Sequence, residues 1–306
     1  MRNTPLLLAP LSLLLLSACS TPDGTDIQYL STFDAGTRGL VLHEEGDGGH
    51  AGMFGSNCPF DTSTGQVTGD YDLPDSDEDV QDGEPTSLGD ITLAAVIPGT
   101  VHVLDKTDGE YTHVPIEVSG VREARLTWDG VVALAPQTCS MSWVSLDGEL
   151  LAGERLEGCN GEFETDPSTG LTFVGGDVAV LTDGQNTVSS SVSGNLVAFD
   201  DVAQLFYVAT LGEAHLSAVS FDGAEVWTVA TDGPVTALDD GGNTGTAGVV
   251  LDLGDQGAVA FYNGLDGALT RFALTPTAAE DLSVSGNGAV VALVRPEQTF
   301  FYALGE

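Results

Sequence analysis

The chain has 306 residues, of which 46 are acidic and only 8 are lysine or arginine, so its formal net charge is −38 at pH 7. This excess of negative charge repels nucleic acid and anionic lipid headgroups, which argues against both as binding partners. The 39 glycines, and the lack of a long segment with helical periodicity, favour an all-β protein.

The first eighteen residues are typical of an export signal. Arg2 is followed by an apolar run from Leu6 to Leu16, which is too short and too poorly flanked to span a membrane. The run ends in Leu-Ser-Ala-Cys, with the thiol at Cys19. Residues 19–26 are short and mostly polar, and we interpret them as a tether between this signal and the folded domain.

The Leu-Ser-Ala-Cys sequence resembles the lipobox of bacterial lipoproteins. The resemblance implies that Cys19 is lipidated, becomes the first residue of the mature chain, and attaches the protein to a membrane of the bacterial cell envelope. Ser20 stands where an inner-membrane retention signal would have Asp, which implies the outer membrane. The alternative is an ordinary cleaved signal with a coincidental cysteine.

Residues 27–306 read as short β-strands separated by Gly, Asp and Asn turns. Five Asp-Gly turns recur about every 40 residues, the size of one propeller blade: Asp108-Gly109, Asp147-Gly148, Asp183-Gly184, Asp222-Gly223 and Asp266-Gly267. The sequence therefore predicts a β-propeller of four-stranded blades, seven in number, or six if residues 35–87 are an insertion. We expect the strand Ile27–Phe33 to complete the last blade.

The units around Asp147, Asp222 and Asp266 resemble the outer hairpins of PQQ-like and WD40-like propellers, in which an aspartate turn precedes a strand ending in an aromatic residue. Only Trp227 keeps the tryptophan of the PQQ-like repeat. The resemblance implies a fold that binds its partners through loops on one face and around a central channel. We therefore consider the loop with Asp239, Asp240 and Asn243 a candidate binding site.

The densest acidic run lies at residues 70–87, and its alternating carboxylates are candidate calcium ligands: Asp75, Asp77 and Asp79. An EF-hand loop needs Gly at its sixth position and Glu at its twelfth, where this chain has Val80 and Thr86. The EF-hand match therefore fails, and the run is interpreted either as a solvated loop or as a looser Ca²⁺ site. No other cofactor is expected.

Three further cysteines follow Cys19, and thiols outside the cytoplasm tend to pair. Counting back from the Asp147-Gly148 turn places Cys139 opposite Leu156, within reach of Cys159, so we expect a Cys139–Cys159 disulfide and an unpaired Cys58. His102 and His113 lie on the two strands of one hairpin and could approach each other. They are interpreted either as structural histidines or as metal ligands.

The sequence contains no recognisable catalytic motif, and no catalytic residue is nominated. The leading hypothesis is an exported, lipid-anchored propeller that acts as a binding or scaffold module for a protein or glycan. One alternative is a propeller hydrolase or lactonase with an acidic central site that could hold a divalent ion. Another is a structural surface lipoprotein. The acidity with a single lysine, Lys106, also fits proteins of saline habitats, where salt screens self-repulsion.

Overall fold

The computed structural model describes residues 27–33, 40–42, 46–53, 56–68, 71–72, 87–88, 91–97, 99–107, 110–159, 162–176, 178–242, 244–296 and 298–305. These described residues contain strands and turns but no helix, and they form seven antiparallel sheets. The predicted all-β fold is therefore confirmed. The candidate lipidation site Cys19 and the acidic residues Asp75, Asp77 and Asp79 lie outside the described residues.

The strands of the N-terminal half follow one another in chain order. The first described strand is β1 (Ile27–Phe33). The first sheet contains β2 (Leu40–Leu42), β3 (Gly48–Met53), β4 (Ser56–Asp61), β5 (Gln66–Val67) and β6 (Tyr71–Asp72). The second contains β7 (Ser87–Leu88), β8 (Ile91–Ile97), β9 (Thr100–Thr107) and β10 (Glu110–Glu117). The third contains β11 (Glu123–Thr127), β12 (Gly130–Ala135), β13 (Ser140–Ser145) and β14 (Leu150–Arg155).

The C-terminal half repeats the same meander. The fourth sheet contains β15 (Phe163–Thr165), β16 (Thr172–Val174), β17 (Val180–Thr182) and β18 (Thr187–Ser189). The fifth contains β19 (Leu196–Asp200), β20 (Leu205–Ala209), β21 (His215–Val219) and β22 (Glu225–Ala230). The sixth contains β23 (Val235–Asp239), β24 (Thr246–Asp252), β25 (Gly257–Asn263) and β26 (Leu269–Thr275). The seventh contains β27 (Asp281–Val284), β28 (Val290–Val294) and β29 (Thr299–Leu304).

The N-terminal strand completes the seventh sheet. β1 pairs antiparallel with β29, with Ile27 opposite Leu304 and Phe33 opposite Thr299, so the order of the seventh sheet is β1-β29-β28-β27. One irregularity between Tyr29 and Ser31 interrupts the register. The pairing of these strands joins the two ends of the described chain within one sheet.

The core lies between neighbouring sheets. The first strands of successive sheets pack against each other, and β19 is buried along its whole length, whereas the fourth strand β22 is mostly exposed. One apolar cluster joins Tyr207 and Leu216 of the fifth sheet to Val249 and Ala260 of the sixth. Burial of each large apolar side chain contributes roughly 1.5–3 kcal/mol, so these contacts between sheets hold the sheets together.

The outer hairpins are wider than a two-residue turn. In the fifth sheet, Ser220 N–H donates to Ala224 O and Gly223 N–H donates to Ser220 O. Val226 is the extra residue of a bulge beside this turn, because Ala218 pairs with Trp227 and Val219 pairs with Glu225. Gly223 has a φ of +80°, a conformation that a residue with a Cβ adopts only with strain. The Asp-Gly pair therefore marks a turn closed by a left-handed glycine rather than the tightest hairpin.

In the third to seventh sheets, the turns between the first and second strands lie at one end of the molecule, which we call the turn face. It comprises residues 128–129, 166–171, 201–204, 240–242, 244–245 and 285–289. Neighbouring turns are joined directly, since Trp128 N–H donates to Pro167 O over 3.0 Å. The turns between third and fourth strands lie at the same end of a meander, and Gly264 N–H donates to Gly245 O over 2.9 Å. Loops from several sheets thus form one surface.

Candidate binding face

Aspartates at the ends of first strands shape the turn face. Asp200 Oδ1 accepts hydrogen bonds from the backbone N–H groups of Val202 and Ala203, both at 2.9 Å. In the fourth sheet, Asp166 Oδ1 accepts from Ser168 N–H at 2.9 Å and Oδ2 accepts from Thr169 Oγ1 at 2.6 Å. Short carboxylate side chains commonly hold turns in this way. These carboxylates therefore have a structural role that accounts for their position.

Asp200 also anchors a buried tyrosine. Tyr207 Oη donates to Asp200 Oδ2 over 2.5 Å, and both residues are fully buried. Burial raises the pKa of the Asp200 carboxyl, although the hydrogen bonds from Tyr207 and from the turn oppose this rise. Burial and the Asp200 carboxylate also raise the pKa of the Tyr207 hydroxyl. The pair fixes the turn of the fifth sheet to its second strand.

The loop predicted as a binding site divides into two parts. Asp239 Oδ2 accepts from Val284 N–H over 2.7 Å and therefore links the sixth sheet to the seventh. Asp240 Oδ1 accepts from Gly242 N–H over 2.7 Å. Asn243 lies outside the described residues. Asp239 thus links the sixth sheet to the seventh through a hydrogen bond. Asp240 differs from it in having a strongly raised pKa.

The carboxyl of Asp240 is held near its neutral form. Burial and the charges of Asp200, Asp201 and Glu164 together raise its pKa to about 7, although the hydrogen bond from Gly242 N–H opposes this rise. Residues that are distant in sequence therefore concentrate negative potential at this part of the turn face. The net charge of the chain indicated acidity but not its concentration here.

An ion pair crosses the first strands of the third and fourth sheets. Arg125 Nε donates to Glu164 Oε2 over 3.0 Å, with the arginine side chain 8% exposed and the glutamate 23% exposed. The guanidinium carbon also lies 5.0 Å from the centre of the Phe163 ring. Sequence reasoning missed this pair. The available signal was an arginine within an apolar first strand of a chain with so few basic residues.

The two histidines identified in the sequence do meet. His102 Nδ1 lies 2.7 Å from His113 Nε2, and the rings stack with centroids 4.9 Å apart. Burial lowers the pKa of His102 to about 4, with a further contribution from His113, and burial also lowers the pKa of His113. Both rings therefore favour the neutral form, in which one nitrogen can donate to the other.

The cysteines lie away from the turn face. The sulfurs of Cys139 and Cys159 are bonded, with their Cα atoms 5.5 Å apart, and Leu156 N–H donates to Cys139 O over 2.8 Å. Cys58 lies in β4, opposite Ala51 of β3. Within the described ranges, no three His, Cys, Asp or Glu side chains are arranged to hold a metal ion.

Comparison with known proteins supports the fold. No family model matches the sequence, and no curated protein matches it either. A chain in the crystal structure of a mitotic checkpoint complex is similar in structure, with a TM-score of 0.71, over 100% of this chain and 97% of that chain. Their sequence identity is 12%, so the likeness concerns the fold alone. Together with the seven antiparallel sheets, it shows that this chain is a β-propeller. In the described part of the chain, no helix is long and apolar enough to cross a membrane.

The raised pKa of Asp240 predicts a pH-dependent stability. An aspartate in the unfolded chain titrates near pH 3.9, so between roughly pH 4 and pH 7 the folded state retains a proton that the unfolded state has lost. The contribution of this residue to stability therefore falls as the pH rises through that window. We expect Asp240→Asn, whose amide oxygen can still accept from Gly242, to raise the free energy of unfolding at pH 8 by at least about 1 kcal/mol.

Urea unfolding at pH 4.5 and pH 8 measures this effect. Asp255→Asn is the matched control, because Asp255 is exposed on a turn of the same sheet and the substitution removes the same charge. A gain for Asp240→Asn that exceeds the control at pH 8 and shrinks at pH 4.5 is expected. Equal gains for the two variants at both pH values would show that only net charge matters.

Proposed function

We propose that this propeller is an exported, lipid-anchored binding module of the bacterial cell envelope, held at the outer membrane by an acylated Cys19. The export signal and the Leu-Ser-Ala-Cys sequence support the anchor, because two or more acyl chains hold a protein stably on a bilayer. The folded domain then projects from the membrane on residues 19–26. In this role the protein recruits a partner rather than transforming a substrate.

The composition of the turn face carries this proposal. Two apolar side chains of the turn face are exposed to solvent, Trp128 at 56% and Val202 at 57%. A third, Leu265, is 77% exposed in the adjoining turn between the third and fourth strands of the sixth sheet. Acidic groups lie among them, with Asp201 next to Val202 and Asp240 in the neighbouring turn. Exposed apolar groups combined with charge are typical of protein-binding surfaces, and tryptophan is enriched among the residues that dominate binding energy.

The partner that fits this face is a protein with a basic surface. Carboxylates on the turn face attract lysine and arginine side chains and increase the rate of encounter, while the apolar residues supply area that is buried on contact. A glycan would match the acidic groups less well, since most glycans lack positive charge. The similarity to a chain of the mitotic checkpoint complex agrees with this role at the level of fold only.

Photo-crosslinking in intact cells tests the proposed face. Benzoylphenylalanine in place of Val202 probes the turn face, and the same residue in place of Val188, 44% exposed on the outer strand β18, is the control. We expect a discrete adduct from position 202 and little from position 188. Trp128→Ala should reduce the adduct about tenfold or more, which corresponds to the loss of one dominant contact. Equal yields at both positions would contradict the proposal.

A further inference from the structure

A cavity between the sixth and seventh sheets opens beside the turn face. Its volume is about 220 Å³, and its lining includes Phe261, Thr270 and Arg271 from the third and fourth strands of the sixth sheet. The first turns of the two sheets and the start of β24 supply the rest: Gly241, Thr244, Thr246 and Gly288. A water molecule occupies about 30 Å³ in the liquid, so the cavity accommodates a ligand of roughly six to ten non-hydrogen atoms.

Arg271 gives this cavity a positive group in a very acidic protein. Its Nη1 donates to Gly288 O over 2.9 Å, which fixes the guanidinium against the seventh sheet. Among the residues that the structure describes, no carboxylate forms an ion pair with Arg271, whereas Arg125 is paired with Glu164. The other guanidinium N–H groups are therefore available to a ligand. Their planar arrangement matches a carboxylate, which it can bind with two parallel hydrogen bonds.

The threonine hydroxyls in the cavity indicate which polar group a bound ligand would carry besides a carboxylate. Thr270 Oγ1 donates to Phe261 O over 3.0 Å, and Thr244 Oγ1 donates to Gly241 O over 2.9 Å. Thr244 and Thr246 share a further hydrogen bond of 2.7 Å, in which Thr246 is then the donor. With their protons engaged, these hydroxyl oxygens retain lone pairs and serve as acceptors. A ligand hydroxyl group is the complementary donor.

We infer that this cavity binds a small hydroxycarboxylic acid, with the carboxylate on Arg271 and a hydroxyl group on a threonine oxygen. A single negative charge fits better than a phosphate dianion, because the cavity has one cation and the whole protein is strongly negative. Phe261 is buried and supplies an apolar wall for the carbon skeleton. The inference stands independently of the partner proposed for the turn face.

Titration of the full chain with three small probes tests the site, using the NMR signals of the arginine Nε–H groups. The probes are lactate, propionate, which lacks the hydroxyl, and lactamide, which lacks the charge. In 1 M NaCl the Debye length is about 3 Å, so general repulsion is screened while direct contacts persist. We expect the Arg271 signal, assigned by its loss in Arg271→Gln, to shift most with lactate, less with propionate and not with lactamide.

Two variants separate binding from a general salt effect. Arg271→Gln lacks the arginine signal, so lactate binding to it is followed through the backbone N–H signal of Gly288, which lines the same cavity. Binding should weaken at least about tenfold, and an unchanged thermal unfolding temperature shows that the variant is folded. Thr270→Val should weaken lactate binding about fivefold, the equivalent of one hydrogen bond, and leave propionate binding unchanged. Equal shifts with lactate and lactamide would overturn the inference, as would lactate binding that survives in a folded Arg271→Gln. Neither result would affect crosslinking from position 202.

Discussion

Trp227→Ala is expected to lower the free energy of unfolding by about 3–5 kcal/mol, the usual cost of removing a buried aromatic side chain. Trp227 lies in the outer strand of the fifth sheet but is only 8% exposed, because the sixth sheet covers it. Its Nε1 donates to Gly264 O of that sheet over 2.7 Å, and a Cβ at Gly267 would lie 2.9 Å from its ring. The residue therefore acts as a brace between two sheets.

Urea unfolding followed by circular dichroism measures this loss, and Trp128→Ala is its matched control. Trp128 is 56% exposed, so its removal should change the free energy of unfolding by no more than about 0.5 kcal/mol. Comparable losses from the two substitutions would show that Trp227 is not buried between the sheets.

Asp200→Ala is expected to cost about 2–4 kcal/mol, since it leaves the buried Tyr207 hydroxyl and two turn N–H groups without their acceptor. Part of this cost is offset because the substitution also removes a carboxylate whose burial is unfavourable, as the raised pKa of Asp200 indicates. Asp201→Ala, an exposed neighbour, should have an effect within about 0.5 kcal/mol.

A double-mutant cycle with Tyr207→Phe isolates the contribution of the pair. If the Tyr207–Asp200 hydrogen bond accounts for most of the loss in stability, Asp200→Ala combined with Tyr207→Phe should destabilise the protein clearly less than the sum of the two single substitutions. Additive losses would mean that the two groups stabilise the fifth sheet independently.

The repeating part of the fold was predictable because it is encoded locally. Short apolar runs specify strands, and Asp-Gly pairs such as Asp222-Gly223 specify the turns that join them, so the sequence predicted the β-propeller class. The width of those turns was not predictable from the pair alone. It depends on the left-handed φ of Gly223 and on the bulge that accompanies it.

The interactions between sheets were not predictable, because they join residues from different repeats. Arg125 and Glu164 lie 39 residues apart, and Asp239 contacts a backbone N–H 45 residues further along the chain. No periodicity specifies how neighbouring sheets are rotated against one another. The cavity at Arg271 has the same origin, since its walls come from two sheets. Its sequence signal is only an arginine in an acidic chain.

The most direct measurement of the proposed function is the crosslinking yield at position 202 in intact cells, compared between the wild-type anchor and Cys19→Ser. We expect a discrete adduct from position 202 in the anchored protein, a much weaker one in Cys19→Ser, and little from position 188 in either. An adduct from position 202 that is no stronger than that from position 188 would contradict a binding role for the turn face. Yields unaffected by Cys19→Ser would contradict the lipid anchor.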